Sequence, residues 1–147
     1  MALVSALFGQ LGPSRGRATT GRGRARQIVL RGKSGRAYAF EVYRAEQGAA
    51  RGDVPAVYMY VREIPPAAGA PTSRNFAIGF VGHTEAIGAR VKEHEQHGHF
   101  VGHGLDTLLV LWVEHAPIRI AIAEDMLAAH QPVLNDLLRG YQGAKVS

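Results

Sequence analysis

Four side chains capable of acid–base or phosphate chemistry follow one another in the middle of the chain: Tyr58, His83, Arg90 and His94. Arg90 and His94 are four residues apart, so a helix would place them on one face. A histidine such as His83 titrates near neutral pH and could donate to a phosphate or accept a proton. Phosphodiester cleavage needs a positioned water and a cation near the developing charge, and these residue types suit it.

The elements that must position these residues are short strands and two helices. Alternating and continuous apolar runs predict strands at 27–31, 36–43, 56–61, 76–82 and 107–113, with residues 45–53 as a loop. Helices are predicted from an N-cap at Thr84 to Gly98 and from Pro117 to His130. This order predicts an α/β (α+β) fold in which helices flank a small, mostly antiparallel sheet with an extra N-terminal β-hairpin.

Three separated segments of the sequence resemble the GIY-YIG nuclease family, and they occur in the family's order. Ala56-Val57-Tyr58 stands at the first triplet and Phe80-Val81-Gly82-His83-Thr84 at the Tyr-Ile-Gly-x-Thr segment. Arg90 and His94 follow at the family's spacing. The segment from Ile118 to Asn135 is similar to the family's last helix with its Pro-x-x-Asn ending.

The resemblance implies a metal-dependent hydrolysis of DNA with assigned roles for several residues. Tyr58 would be the water-side tyrosine, Arg90 would hold the phosphate, and His83 and His94 would complete the catalytic set. One Mg²⁺ or Mn²⁺ ion on a glutamate would stabilise the leaving oxygen. Phe80, Gly82, Thr84 and Asn135 would be the motif's structural positions, and Asn135 more often fixes the chain than touches substrate.

Two positions depart from the family pattern. Phe80 stands where the second tyrosine is expected and therefore lacks its hydroxyl. The metal-binding glutamate falls by spacing on Ala123, and the nearest carboxylate is Glu124, about 100° further around the helix. The alternative hypothesis is therefore a nuclease-derived module that binds nucleic acid without efficient cleavage. Tyr58 as a plain strand aromatic and Arg90 as a solvated helix arginine also stay open.

The positive charge is concentrated at the N-terminal end, because residues 1–40 contain no Asp or Glu. We expect residues 1–26 to form a basic flexible arm that binds DNA phosphates, followed by one domain at 27–136 and a tail at 137–147. Within that domain, 27–43 is the hairpin and 54–136 carries the motifs. A solubilising tail and a transit peptide are alternatives for the arm. The arm arginines are Arg15, Arg17, Arg22, Arg24 and Arg26.

The amino-acid composition excludes several classes of protein and of metal site. The chain has no cysteine, which excludes disulfides and thiolate sites and fits a reducing, cytoplasmic setting. It has no run of about 18 apolar residues, so we expect no membrane span. A separate hypothesis is a transition-metal site among clustered histidines and glutamates, with solvated loop histidines as the alternative. This cluster comprises Glu93, His94, Glu95, His97, His99 and His103.

Overall fold

A computed structural model describes residues 26–64, 75–132 and 134–135 of the chain. These residues form an α+β domain with one five-stranded antiparallel sheet and two α-helices, so the predicted fold class is confirmed. The strands are β1 (Arg26–Arg31), β2 (Ala37–Arg44), β3 (Ala56–Ile64), β4 (Asn75–Thr84) and β5 (Thr107–Trp112). The helices are α1 (Ile87–His97) and α2 (Ala116–His130), and Ala45–Arg51 and Val101–His103 form 3-10 helices.

The sheet has the order β1-β2-β5-β3-β4, and every pair of neighbouring strands is antiparallel. Strand β5 returns between β2 and β3, which puts β3 in the interior and leaves β4 at an edge. In β3, residues 56–61 are all buried. A strand covered on both faces reads as a continuous apolar run, which is what this segment shows.

Successive residues of β3 belong to two different hydrophobic cores because their side chains alternate between the faces of the sheet. Val57, Met59 and Val61 pack with α2 on one face. Tyr58 and Tyr60 pack with α1 on the other face. This division decides which of the chemically capable side chains meet.

The predicted N-terminal hairpin is confirmed as β1 and β2, and it is tied to α2 through its turn. Asp125 of α2 accepts hydrogen bonds from the Ser34 backbone N–H at 2.8 Å, the Ser34 hydroxyl at 2.6 Å and the Tyr38 hydroxyl at 2.8 Å. A Cβ at Gly32 would lie 2.1 Å from the Asp125 carboxylate, so this turn needs glycine to approach the helix.

Two local predictions were wrong. Thr84 is not the helix N-cap, because β4 continues through it in register with Ala56 and α1 begins after Ala86. The Thr84 hydroxyl instead accepts from the Ala86 backbone N–H at 3.1 Å, which turns the chain from strand into helix. Residues 45–53, predicted as a loop, contain the 3-10 helix at Ala45–Arg51. The predicted helix end at Gly98 is confirmed, with a left-handed φ of 61°.

The predicted basic arm falls almost entirely outside the described residues. The residues outside the described part include the predicted tail at 137–147 and four of the arm arginines, Arg15, Arg17, Arg22 and Arg24. Arg26, predicted as the last residue of the arm, is the first residue of β1, and its guanidinium lies 3.9 Å from the Glu63 carboxylate. Among the described residues, no helix is long and apolar enough to span a membrane.

Candidate functional site

An open groove of about 530 Å³ lies between the first turns of the two helices, where β4 ends. We call it the arginine groove. The N-terminal residues of both helices, Ala86 beside α1 and Ala116 in α2, line it. Neither helix carries an acidic residue in its first turn. The backbone N–H groups of Ile87 and Gly88 in α1 already donate to the carbonyls of Val54 and Gly52, at 3.0 and 2.9 Å, so α1 contributes side chains to the groove and not these donors. Its polar lining consists of His83, Thr84, Glu85, Arg90, Glu93 and Arg119.

Arg119 is the most deeply buried charged side chain of the groove, with 3% of its surface exposed. Its Nη1 donates to the carbonyls of Val113 at 3.1 Å and Glu114 at 3.2 Å, which fix the guanidinium in place. Its Nε is buried and has no hydrogen-bond partner among the residues that the structure describes, and its Nη2 lies 3.8 Å from the largely exposed Glu85 carboxylate. The Nε and Nη2 groups form an edge of the guanidinium that can donate two parallel hydrogen bonds to a phosphate or carboxylate.

Arg90 and His83 add a second cation and a titratable ring to the same groove. The Arg90 Nη1 pairs with the Glu93 carboxylate at 3.0 Å, which occupies one part of a guanidinium that has five donors. Burial lowers the pKa of His83, the charges of Arg119 and Arg90 lower it further, and Glu124 partly offsets them. His83 is therefore a neutral imidazole near pH 7, with one nitrogen able to accept a proton.

Tyr58 and His94 meet in the core on the α1 side of the sheet. Both side chains are buried, and Tyr58 Oη and His94 Nε2 share a hydrogen bond of 2.9 Å. On its other side, His94 Nδ1 lies 2.9 Å from His99 Nδ1. Burial, with the neighbouring charge of His99 next in importance, lowers the pKa of His94 to about 3. Phe80 packs against both rings of this pair.

The structure thus divides the predicted site residues into two groups. His83 and Arg90 line the arginine groove, whereas Tyr58 and His94 form a buried pair and do not appear in its lining. Arg90 and His94 lie on one side of α1, as their spacing predicts. Arg90 lines the groove, however, and His94, one helical turn later, is buried in the core. A water in the groove would meet His83 and the arginines before it met the Tyr58 hydroxyl.

Gly82 lies opposite Tyr58 in the β3–β4 ladder, and the tyrosine ring passes directly over it. A Cβ at Gly82 would lie 2.7 Å from Tyr58 Cζ and Oη, and 2.9 Å from the ring of Phe80. The Tyr58 ring is held by its bond to His94 and has no space to move aside. The glycine in this motif therefore serves a close approach between a strand and an aromatic ring.

Gly82→Ala should destabilise the protein by about 1–3 kcal/mol, because overpacking forces buried rings from their positions. Chemical denaturation monitored by circular dichroism would measure the change in the free energy of unfolding. Gly102→Ala is the matched control, since a Cβ there meets no atom within 4 Å. Equal stabilities of the two variants would contradict this account of Gly82.

Asn135 binds the exposed edge of the sheet and lies away from the groove lining. Its Oδ1 accepts from the Val81 backbone N–H at 2.9 Å, and its Nδ2 donates to the Val81 carbonyl at 2.8 Å. This pair of bonds replaces the missing neighbouring strand at one position of β4. The side chain therefore fixes the chain that follows α2 against the strand that carries the Phe80-Val81-Gly82 motif.

The residues at the expected metal position do not fit a family-type metal centre. Ala123, where the glutamate is expected, is buried in the core between α2 and the sheet. Glu124 is exposed and outside the groove lining, although its charge reaches His83. In the described part of the chain, no group of three or more His, Asp or Glu side chains is arranged to hold a metal ion. This holds also for the histidine cluster, where both ring nitrogens of His94 are already engaged.

Arg119 was not singled out from the sequence. An arginine in the first turn of an amphipathic helix is usually read as solvated. A signal was nevertheless available: Arg119 lies three and four residues before Ile122 and Ala123, on the same buried stripe. A charged residue on the apolar face of a helix is uncommon and marks a position where the charge has a partner or a ligand.

Comparison of the chain with protein-family models, with curated proteins and with solved structures found no match.

Proposed function

We propose that the arginine groove binds the phosphodiester backbone of nucleic acid. The observation that carries this proposal is Arg119: two backbone carbonyls hold its Nη1, its Nε has no hydrogen-bond partner among the described residues, and its Nη2 has only the exposed Glu85 at 3.8 Å. A buried donor without a partner costs stability, and an anionic oxygen in the groove would satisfy it. Charge-assisted hydrogen bonds of this type are among the stronger ones in proteins.

Three further features support a phosphate as the ligand. Arg90 enters the same groove from the opposite helix, so a tetrahedral anion between the helices could be bound from two sides. The N-terminal residue of α2, Ala116, borders the groove, and such helix ends favour anions. The Glu85 carboxylate would compete with a bound anion for Arg119. It is highly exposed and lies 3.8 Å away, so replacing this weak ion pair would cost little free energy.

Two features of the sequence make nucleic acid the proposed source of this phosphate. Residues 1–40 carry eight Arg and Lys side chains and no acid, which is suited to a polyanion rather than to a single phosphate group. The groove also lies among the segments that resemble the GIY-YIG family, whose members act on DNA. These two features distinguish the proposal from one in which a free phosphate or a small phosphorylated metabolite binds.

Arg90→Gln should weaken binding to a labelled duplex and reduce the slope of log K against log salt by about one, since one phosphate contact is lost. Fluorescence anisotropy titrations at several salt concentrations would measure both quantities. Lys92→Gln is the matched control, because it removes the same charge from an exposed position of α1 outside the groove. Salt-independent binding, or identical curves for the two variants, would reject the proposal.

A second candidate function is hydrolysis of the bound phosphodiester, and the state of His83 favours it. A neutral imidazole in a groove with two arginines can take a proton from water while the resulting hydroxide oxygen attacks phosphorus. The P–O bond to one ester oxygen would then break, and the leaving oxygen would gain a proton from solvent. Arg90 and Arg119 would stabilise the charge that develops on the non-bridging oxygens.

His83→Gln should reduce such cleavage by about 10²-fold or more while binding stays close to that of the unmodified protein, because only the proton acceptor is lost. Plasmid, single-stranded and branched DNA would be incubated with Mg²⁺, with Mn²⁺ or with a chelator, and the products separated on gels. His115→Gln provides an exposed histidine control outside the groove. If the unmodified protein binds DNA but cleaves none of these substrates under any of these conditions, hydrolysis is rejected and only the binding function stands.

A further inference from the structure

A second cavity, of about 290 Å³, lies at the opposite end of α1 from the arginine groove. We call it the Tyr60 cavity. Its apolar wall consists of Tyr60, Phe100 and Leu105, and the rings of Tyr60 and Phe100 stack with centroids 4.1 Å apart. The volume is near the lower end of the range for small-molecule sites in proteins. It is large enough for a ligand of one or two fused rings.

The hydroxyl of Tyr60 is the unexplained polar group of this cavity. The side chain is 3% exposed, and its oxygen has no hydrogen-bond partner within the described residues. Burial raises the pKa of this phenol, and the charge of Glu95 raises it further. Tyr60 and Glu95 both line the cavity. Buried hydroxyls without partners are rare, and a ligand atom would supply the missing partner.

The rim of the Tyr60 cavity is acidic and therefore excludes the ligand of the arginine groove. Glu46, Glu95 and Asp106 border it. Glu46 is neutralised in part by Arg44 at 3.0 Å, whereas Glu95 forms no ion pair with another described residue. A phosphate or carboxylate would be repelled here, and a ligand with a positive charge would be attracted.

We infer that the Tyr60 cavity is a binding site for a small organic cation with a flat apolar body. The apolar body would fill the space beside Phe100 and Leu105. An ammonium group at its end would donate one hydrogen bond to the Tyr60 oxygen and would pair with the Glu95 carboxylate. The inference is independent of nucleic-acid binding, because it uses none of the side chains that line the arginine groove.

Three probes with one ring system and different charges test the inference: tryptamine, indole and indole-3-acetate. Calorimetric titration should show that tryptamine binds at least about tenfold more tightly than indole-3-acetate, with indole between them. The methyl resonances of Leu105 should shift on addition of tryptamine and so locate the binding. Equal affinities of the three probes, or no binding by any of them, would overturn the inference.

Two substitutions separate the charge from the hydroxyl. Glu95→Gln should remove most of the preference for tryptamine, whereas Glu114→Gln, an exposed glutamate outside the cavity, should not. Tyr60→Phe deletes only the hydroxyl and should weaken tryptamine at least about threefold without lowering the midpoint of thermal unfolding, since the lost group has no partner to forfeit. If neither Glu95→Gln nor Tyr60→Phe changes the affinity for tryptamine, the probe binds elsewhere on the protein and the inference is wrong.

Discussion

Replacing Arg119 with methionine should weaken binding of a short DNA duplex by roughly 30-fold, about 2 kcal/mol, while the protein stays folded. The loss is large because Arg119 offers a fixed pair of donors that no other groove residue duplicates. Methionine has a similar length and leaves no buried charge, so the fold should tolerate it. We expect a stability loss of about 1–2 kcal/mol from the two hydrogen bonds to Val113 and Glu114. Anisotropy titration and chemical denaturation would measure the two quantities.

Companion variants make the result specific to the guanidinium geometry. Arg119→Lys keeps the charge but loses the two-pronged edge, so its affinity should fall between those of the unmodified protein and Arg119→Met. Glu85→Gln should strengthen binding, because it removes the carboxylate that faces the same edge at 3.8 Å. Arg119→Met should also raise the pKa of His83 followed by NMR, since Arg119 is a cause of its lowering. A DNA affinity that does not respond to Arg119→Met would place the phosphate elsewhere.

The hairpin, the central strands and the helices were predictable from the sequence because local patterns determine them. Gly98 ends α1 where a residue with positive φ is needed, and the unbroken apolar run in β5 indicates burial on both faces. The strand order was not predictable. Periodicity shows which residues share a face of a strand, but it carries no information on whether β5 lies beside β2 or beyond β4. That choice depends on contacts between distant segments.

The residues that were missed are polar side chains on faces read as exposed. In β2, Tyr38, Phe40 and Val42 alternate as predicted and form part of one core. Glu41 lies between them on the opposite face, and it is buried and accepts hydrogen bonds from Trp112 at 2.9 Å and from Tyr43. Alternation in one strand cannot reveal that a second layer covers its other face. Arg119 escaped notice for the same reason.

The motif spacing predicts one set of residues, and the structure divides this set between the groove and the core. It groups Tyr58, Arg90 and His94 in one catalytic set; Tyr58 and His94 do form a hydrogen bond, whereas Arg90 lies in the groove. Residues four apart lie on the same side of a helix, but this spacing does not show which of them is buried in the core and which lies in an open groove. Arg90 faces the groove and His94, one turn later, faces the core. A single family pattern can therefore contain a groove residue and a core residue four positions apart.

His94 should make the protein sensitive to mild acid, because it is buried beside Tyr58 with a lowered pKa. The pKa of His94 is about 3 in the folded protein and near 6.5 in the unfolded chain, so the unfolded chain takes up the proton first as the pH falls. The contribution of His94 is complete above pH 6.5 and is lost progressively down to about pH 3. Each pKa unit is worth about 1.4 kcal/mol, so the total is roughly 4–5 kcal/mol, with about 2 kcal/mol lost already at pH 5.

Denaturation curves at closely spaced pH values between 8 and 5 would measure this loss before most carboxylates titrate. Burial also lowers the pKa of His83 and of His99, so these two residues add to the slope in the same direction. His94→Gln should reduce the slope by most of its value even though the variant is less stable overall, because glutamine cannot take up a proton. His103→Gln, which changes an exposed histidine, should leave the slope as it is. A slope that His94→Gln does not change would show that His94 is accessible to protons in the folded protein, and the buried bond with Tyr58 would then be wrong.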